Sequence, residues 1–178
     1  MNMEEKTLAS EYHFKGRIMN IRVDEISLPD GKRALREVCE HCDGVGVLPI
    51  TEDGKVILVS QFRYPFGKVI IEAPAGKVEA GEAHLDCGAR ELSEETGYTA
   101  GEMKYLGFAY PSPGCFTEKL HLYIARDLKK GATHPDDGEF VEVSEYALAD
   151  AVRMVEDGTI SDAKTVILIL RAARELGV

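Results

Sequence analysis

The sequence predicts an α+β fold in which a mixed sheet lies between helices, with an antiparallel sheet appended at the N-terminus. Two observations lead to this prediction. Segments typical of strands fill the N-terminal part of the chain, and an amphipathic helix near the middle is followed by further strands and two terminal helices. With 178 residues, 44% of them hydrophobic, the chain suits one domain with a small appendage and an ample core.

The N-terminal appendage is predicted from residues 12–41. Residues 16–24 alternate in part between polar and apolar side chains, Pro29-Asp30-Gly31-Lys32 predicts a turn, and residues 36–39 begin the return strand. We therefore divide the chain into residues 1–42, which hold the antiparallel strands, and residues 43–178, which form the main domain.

The main domain is predicted to alternate strands and helices. Strands are expected at 45–50, 56–62 and 69–73, and, after a central helix, at 105–110, 120–125 and 141–143. The first terminal helix is expected from about Glu145 to Glu156, with Ser144 as its N-cap. The second is expected from about Asp162 to Leu176, with Ser161 as its N-cap.

The central helix gathers negative charge. Glu91, Glu94 and Glu95 are three or four residues apart, so they crowd together and repel unless a cation lies among them. An apolar stripe at helical spacing is expected to pack on the core while the glutamates point away from it: Leu85, Ala89, Leu92 and Thr96. Carboxylates suit hard divalent cations, which favours a metal site. The alternative is a solvated acidic face, which is common on surface helices.

The full spacing is more specific than the glutamates alone. Gly76 is followed by five residues, Glu82, seven residues and then Arg90-Glu91-Leu92-Ser93-Glu94-Glu95-Thr96-Gly97-Tyr98. This pattern resembles the Nudix box, from which it departs only in having Tyr98 at the final aliphatic position. The resemblance implies an α/β/α sandwich with a mixed sheet. It also implies a loop-helix-loop metal site that cleaves nucleoside diphosphates linked to another moiety.

The Nudix resemblance implies a role for each residue of the box. Glu91 and Glu95 are expected as the principal ligands of Mg²⁺, for which Mn²⁺ could substitute. Glu94 and the backbone carbonyl of Ala75 are expected as further ligands. Arg90 is expected to hold Glu94 or Glu82 in place through a charge-assisted bond, which makes Glu82 structural. Gly97 is expected as a left-handed C-terminal cap.

Motifs outside the box resemble the ADP-ribose pyrophosphatase branch of the Nudix family, which implies a homodimer joined through the N-terminal strands. They are Gln61-Phe62-Arg63-Tyr64-Pro65, Glu72-Ala73-Pro74-Ala75-Gly76, Tyr110-Pro111-Ser112-Pro113-Gly114, Arg36-Glu37 and residues 138–143. The expected reaction is attack by water on the diphosphate bridge of ADP-ribose, giving AMP and ribose 5-phosphate.

Substrate contacts are expected from three places in the sequence. Arg63 is a candidate phosphate clamp because a guanidinium binds phosphate oxygens in a fork geometry; the alternative is a surface strand arginine. Arg36 and Glu37 could recognise adenine and its ribose across a dimer interface, or form a simple cross-strand ion pair. A stiff turn is expected to lie against the terminal ribose, unless it is an ordinary loop: Ser112, Pro113 and Gly114.

A carboxylate must accept the proton of the attacking water. By likeness to the branch, Glu139 in the acidic loop 136–139 is the preferred general base, and Asp136 and Asp137 are alternatives. The competing interpretation of this loop is a solvated run of charge. Catalytic roles are therefore expected for Glu139, Glu94 and Arg90.

Composition limits the partners and the compartment. The 31 acidic residues outnumber 21 basic ones, a net charge of −10 that argues against nonspecific binding to nucleic acid. The N-terminus is not typical of a secretory signal. The longest aliphatic run, residues 166–170, is too short to span a bilayer. We therefore expect a cytoplasmic protein without a membrane partner.

Three other functions remain open at this level. A pyrophosphatase for another nucleotide sugar, such as GDP-mannose, would use the same box. A non-catalytic Nudix sensor would normally lack box carboxylates. A zinc or redox protein built on Cys39-Glu40-His41-Cys42 would need further ligands or a strand-to-helix context, so we expect reduced cysteines that are buried or on a strand edge.

Overall fold

The computed structural model describes residues 2–134, 138 and 140–178, and it divides into two compact units. The first contains Met1–Asp43 and Tyr110–Lys119, and the second contains Gly44–Ala109 and Leu120–Val178. The segment 110–119 groups with the N-terminal strands because its backbone bonds to one of them. The Cys39 amide donates to the Cys115 carbonyl at 2.7 Å, and the Thr117 amide donates to the Cys39 carbonyl at 3.1 Å.

The first unit is built on an antiparallel three-stranded sheet in the order β1-β2-β3. These strands are β1 (Lys6–Lys15), β2 (Met19–Ser27) and β3 (Arg33–His41). The predicted turn between β2 and β3 is confirmed, with Gly31 at φ 83°, a left-handed conformation that suits glycine. β1 starts at Lys6, so the expectation that strands begin at about residue 12 was wrong.

The second unit contains seven strands and three α-helices among its described residues. In chain order they are β4 (Gly44–Pro49), β5 (Lys55–Arg63), β6 (Lys68–Glu72), β7 (Ala75–Lys77), α1 (His84–Thr96), β8 (Tyr98–Ala109), β9 (Leu120–Lys130), β10 (Val141–Ala147), α2 (Leu148–Glu156) and α3 (Ala163–Leu176). The strands form the sheets β7-β4-β9-β8 and β10-β5-β6. Because β4 and β9 are parallel while the other pairs are antiparallel, the predicted mixed sheet is confirmed.

Alternation along β4 divides the core into two layers. Val45 and Val47 belong to a buried cluster with Cys87 and Leu92 of α1. Leu48 belongs to a second cluster that contains buried residues of α2 and α3. Successive side chains of a strand point to opposite faces, so α1 and α3 cover opposite faces of this sheet. The expected α/β/α sandwich is therefore present.

Two helix starts differ from prediction. Ser144 lies inside β10, because residues 141–147 pair in continuous register with 55–61 of β5, and α2 begins only at Leu148. Sheet pairing here outweighs the capping tendency of a serine. The N-cap of α3 is Asp162 rather than Ser161, and the Asp162 carboxylate accepts a bond from the Thr165 amide at 3.0 Å.

The buried face of α1 also differs from prediction. Leu85 is 44% exposed and Ala89 is exposed as well, so neither contributes to the core. Gly88 faces the core instead, and a Cβ atom there would lie 3.0 Å from Val45 and 3.2 Å from Val47. Because Gly88 has no side chain, α1 approaches β4 closely along this side. The buried side of α1 is therefore rotated away from Leu85 and Ala89, which the sequence placed on it. The buried residues are Cys87, Gly88, Leu92, Glu95 and Thr96.

The helices of the described chain include none with the length and apolar character needed to cross a membrane.

Candidate active site

The segment that enters β7 is fixed by bonds on both sides. The Pro74 carbonyl accepts a bond from the Val47 amide at 2.9 Å. The Ala75 amide donates to Oε2 of Glu95 at 3.0 Å. Glu95 is only 5% exposed, so the expectation that all three helix glutamates point away from the packed face was wrong. Its carboxylate instead joins α1 to the start of β7.

Gly76 makes room for a second carboxylate of α1. A Cβ atom at this position would lie 1.7 Å from Oε1 and 2.0 Å from Cδ of Glu91. The Glu91 carboxylate therefore rests against the backbone of the glycine that opens the predicted box. Two of the three predicted glutamate ligands thus lie against residues 75–76, the stretch that also carries the predicted carbonyl ligand.

Arg90 binds three glutamates around this segment. Its Nε donates to Oε1 of Glu82 at 3.0 Å, and its Nη1 donates to Glu91 at 2.8 Å and to Glu94 at 3.0 Å. Both of the partners expected from the sequence, Glu82 and Glu94, are bound. The Arg90 guanidinium, with the Glu79 amide, holds the pKa of Glu82 well below its usual range, at about 2. The Glu82 carboxylate in turn raises the pKa of Arg90.

The donor set suits a hard divalent cation in its chemistry. Glu91, Glu94 and Glu95 offer carboxylate oxygens, and Ala75 offers a backbone carbonyl, the ligand types that Mg²⁺ prefers. Across the residues the structure describes, however, no three acidic, histidine or cysteine side chains already enclose a metal position. Glu91 and Glu94 bind Arg90 instead. A metal ion would therefore share these two carboxylates with Arg90, and the ligand assignments stay predictions.

Arg63 binds a buried carboxylate that sequence reasoning did not assign. Its Nε and Nη2 donate to the two oxygens of Glu72 at 2.6 and 2.8 Å. The Glu72 side chain is 4% exposed and also accepts a bond from Lys164, whereas the Arg63 side chain is 39% exposed. Burial alone would raise the pKa of Glu72, but the bonds and charges of Arg63 and Lys164 outweigh it and leave that pKa below its usual value.

The first turn of α3 extends this buried group to the loop before β7. Lys164 donates to Oδ2 of Asp162 at 2.9 Å, and the Thr165 hydroxyl donates to the same oxygen at 2.6 Å. The Thr165 hydroxyl also accepts a bond from the Ala73 amide at 2.7 Å. The position of Glu72 two residues before Pro74 was the available signal, but the sequence did not show that Lys164 and Thr165 reach this stretch.

The other predicted substrate residues belong to the first unit. Arg36 forms an exposed ion pair with Glu5, with bonds of 3.0 and 2.5 Å, and Glu37 is exposed on β3. Ser112, Pro113 and Gly114 are exposed as well. The Ser112 carbonyl accepts bonds from the amides of Cys115 and Phe116 at 3.2 and 2.9 Å, which closes a turn. Substrate contacts for these five residues remain predictions.

The candidate general base Glu139 and its alternatives Asp136 and Asp137 lie outside the described residues. The chain that leads to them is tied to the end of α1. The Gly131 amide donates to the Gly97 carbonyl at 2.6 Å, and the His134 amide donates to the Glu94 carbonyl at 3.0 Å. Gly97 has φ 74°, which confirms the predicted left-handed cap. Residues 131–134 therefore lie beside the C-terminal end of α1.

Tyr98, where the sequence departs from the Nudix pattern, lines a cavity of about 470 Å³ at the end of α1. The ammonium of Lys130 lies 5.7 Å from the centre of the Tyr98 ring. Thr96, Thr133 and Glu145 also line this space. Tyr98 is half-buried. Its hydroxyl lies 3.5 Å from Oε1 of Glu145, a contact at the limit of hydrogen-bond length.

The four cysteines are free. Cys39 and Cys87 are buried, and Cys42 and Cys115 are exposed. Within the described parts of the chain, the Cys39-to-Cys42 motif is not part of a group of three metal-ligating side chains. Burial raises the pKa of Cys87 to about 12 and also raises the pKa of Cys39. That the cysteines are reduced stays a prediction.

Comparison with protein families agrees with this arrangement. The model of the NUDIX domain matches residues 40–168, which is most of the chain. The chain belongs to the Nudix family. A second model, described as the nucleoside diphosphate sugar hydrolase N-terminal domain, matches residues 5–38.

Several relatives of this Nudix protein are similar over almost its whole length. An ADP-ribose pyrophosphatase of Bacillus subtilis is 42% identical, with 94% of this chain and 92% of the relative covered. A methanol dehydrogenase activator of Bacillus methanolicus is 41% identical, with 93% and 91% covered. A GDP-mannose pyrophosphatase of Pectobacterium atrosepticum is 34% identical, with 97% and 93% covered.

A solved structure supports the fold of this Nudix protein. The crystal structure of an ADP compounds hydrolase superimposes with a TM-score of 0.86 over 99% of this chain and 96% of that one, at 21% sequence identity. At this identity the likeness concerns the fold alone. The expected Nudix architecture with an additional N-terminal sheet is thereby confirmed.

Proposed function

We propose that this Nudix protein is an Mg²⁺-dependent pyrophosphatase of nucleoside diphosphate sugars whose substrate is ADP-ribose. Water is consumed and one phosphoanhydride bond is broken, which gives AMP and ribose 5-phosphate. The observation that carries the proposal is the pair of α1 carboxylates, Glu91 and Glu95, held against the backbone of residues 75–76 beside Arg90. The relatives named pyrophosphatases of ADP-ribose and GDP-mannose support this substrate class.

The protein contributes binding, orientation and proton transfer. Glu91, Glu94, Glu95 and the Ala75 carbonyl would hold Mg²⁺, with Arg90 keeping the first two glutamates in place. Bound Mg²⁺ would neutralise the diphosphate and lower the pKa of the attacking water. Arg63 binds a phosphate oxygen through the edge of its guanidinium that Glu72 does not occupy. Glu139 accepts the proton of the water.

Recognition of the nucleoside and the terminal ribose is assigned to the first unit. Arg36 and Glu37 contact the adenine and its ribose, and the exposed turn of Ser112, Pro113 and Gly114 contacts the terminal ribose. The match of residues 5–38 to the N-terminal domain of nucleoside diphosphate sugar hydrolases supports a substrate role for this region.

The active form proposed here is a homodimer in the cytoplasm. Large apolar side chains are exposed along the sheet of the first unit, including Leu8 at 50%, Phe14 at 56% and Leu35 at 64%. Large apolar side chains exposed on one sheet favour burial against a second copy. Four free cysteines, two of them exposed, suit a reducing compartment.

Product analysis tests the reaction and the substrate together. The purified protein is incubated with Mg²⁺ and either ADP-ribose or GDP-mannose, with Glu95→Gln as the control, and products are separated by chromatography. AMP and ribose 5-phosphate from the wild type alone are expected. Preferential cleavage of GDP-mannose would keep the reaction and replace the substrate. Tight binding of either compound without cleavage would refute the enzyme assignment and favour a sensor.

A further inference from the structure

The buried group formed by Arg63, Glu72 and Lys164 unites three elements of the second unit. Glu72 ends β6, Arg63 ends β5, and Lys164 lies in the first turn of α3. Lys164 is 7% exposed and Glu72 is 3% exposed, so both charges are withdrawn from water. Arg63 alone reaches toward solvent, with 39% of its side chain exposed.

Two cations therefore share the one carboxylate of Glu72. Arg63 binds both of its oxygens, and Lys164 binds Oε2. A buried carboxylate that loses its counter-charge is strongly destabilised. Because Lys164 also binds Glu72, the negative charge of Glu72 stays compensated when Arg63 binds a second anion. Without Lys164, Glu72 would depend on Arg63 alone.

We propose that Lys164 is a positioning residue for substrate binding, which compensates the charge of Glu72 so that Arg63 can engage the diphosphate. Lys164 itself touches no substrate in this arrangement and acts through Glu72 and Arg63. The assignment rests on the proposed function, because it takes Arg63 to be the phosphate-binding arginine. Asp162, which binds Lys164 at 2.9 Å, fixes the lysine from the other side.

Steady-state kinetics with ADP-ribose and Mg²⁺ test the assignment through three substitutions. Lys164→Met is expected to raise KM about tenfold, the equivalent of one weakened charge-assisted bond, while kcat stays within about twofold because the reacting groups are untouched. Lys164→Arg keeps a cation next to Glu72 and is expected to restore most of the loss in KM. Lys104→Met, which breaks an ion pair with Glu175 on the surface, is the matched control and is expected to leave KM unchanged.

A structural role alone predicts a different pattern. If Lys164→Met lowers the unfolding temperature but leaves KM within about twofold of the wild type, the positioning role is overturned. Should this variant fail to fold, Lys164→Gln replaces it, because glutamine keeps a hydrogen-bond donor next to Glu72 but carries no charge. It should likewise raise KM, and an unchanged KM would overturn the role.

The phosphate-binding role of Arg63, on which the assignment rests, is tested separately by Arg63→Ala in the same assay, whereas the absence of any cleavage by the wild type would refute the proposed function. A raised KM for Arg63→Ala with an unchanged KM for Lys164→Met would leave the function standing and reject only the role of Lys164. An unchanged KM for Arg63→Ala would show that Arg63 does not bind the diphosphate, and the role of Lys164 would fall with it.

Discussion

The carboxylate of Glu91 occupies the space that a side chain at position 76 would need. A Cβ atom on Gly76 would lie 1.7 Å from Oε1 of Glu91, far inside any permitted contact. The glycine is needed here for close approach, since Gly76 is not among the residues with positive φ. Gly81, by contrast, has φ 83°, a left-handed conformation that favours glycine.

Gly76→Ala should therefore displace the Glu91 carboxylate and leave the fold intact. We expect turnover of ADP-ribose to fall about 100-fold, since small misplacements of reacting groups have effects of this size. The unfolding free energy should change by less than about 1 kcal/mol, because the displaced group is the end of a flexible side chain. Turnover equal to that of the wild type would contradict the role of Glu91.

Glu95→Gln should separate metal binding from structure. The amide oxygen can still accept the bond from Ala75, so the unfolding temperature should stay close to that of the wild type. Turnover should fall about 100-fold or more, because a metal ligand is lost. Glu95→Ala should also lose stability, by about 1–3 kcal/mol, because the Ala75 amide loses its acceptor. Full activity of Glu95→Gln would show that the metal assignment is wrong.

Glu139→Gln tests the general base. Turnover should fall by about 10²- to 10⁴-fold, the usual contribution of a positioned acid or base. The comparison variants are Asp136→Asn and Asp137→Asn. Near-normal turnover of Glu139→Gln together with a large loss in either aspartate variant would move the role to that aspartate.

Glu72 should make the second unit sensitive to acid. Its pKa is lowered in the folded protein, so its ionised form stabilises the fold above the usual glutamate pKa. That stabilisation is lost as the pH falls from the usual glutamate pKa through the lower folded value. Urea unfolding at pH 6 and at successively lower pH should show the free energy of unfolding falling. The fall should be smaller in Glu72→Gln than in Glu52→Gln, a substitution at an exposed turn residue. Identical pH dependence in both variants would refute the contribution of Glu72.

Thiol titration should distinguish the cysteines. Burial raises the pKa of Cys87 to about 12, so this thiol stays protonated at pH 8. Cys39 is buried too, with a raised pKa, whereas Cys42 and Cys115 are exposed. A disulfide reagent should modify two of the four thiols quickly in the native protein and all four after unfolding. Three fast thiols in the native protein would contradict the burial of Cys39 or Cys87.

Features encoded within a short stretch of sequence could be predicted well. The two strands within residues 44–63, the N-terminal hairpin and the end of α1 at Gly97 follow from alternation, turn residues and a C-terminal glycine. The resemblance to the Nudix box implied that Arg90 holds Glu94 or Glu82, and Glu94 lies one helical turn from Arg90. Local sequence was sufficient in each of these cases.

Features that depend on tertiary pairing were missed or misplaced. Serine is a residue type that favours the N-cap of a helix, but Ser144 lies in a strand because residues 141–147 pair with β5. The rotation of α1 depends on how closely Gly88 approaches Val45 and Val47. Ala73 and Thr165 are joined by a hydrogen bond across 92 positions of sequence, and so are Glu72 and Lys164. Periodicity and spacing carry no information about such pairs.

The contacts of Arg90 also affect how readily α1 forms. A helix with Glu91, Glu94 and Glu95 on adjacent turns would ordinarily resist forming, because these charges repel. Arg90 binds the first two from within the same helix and Glu82 from the loop before it. The helix therefore carries its own counterion, so the repulsion among these glutamates is offset without a bound cation. Under the proposed function, a divalent cation would then be needed for catalysis and not for formation of the helix.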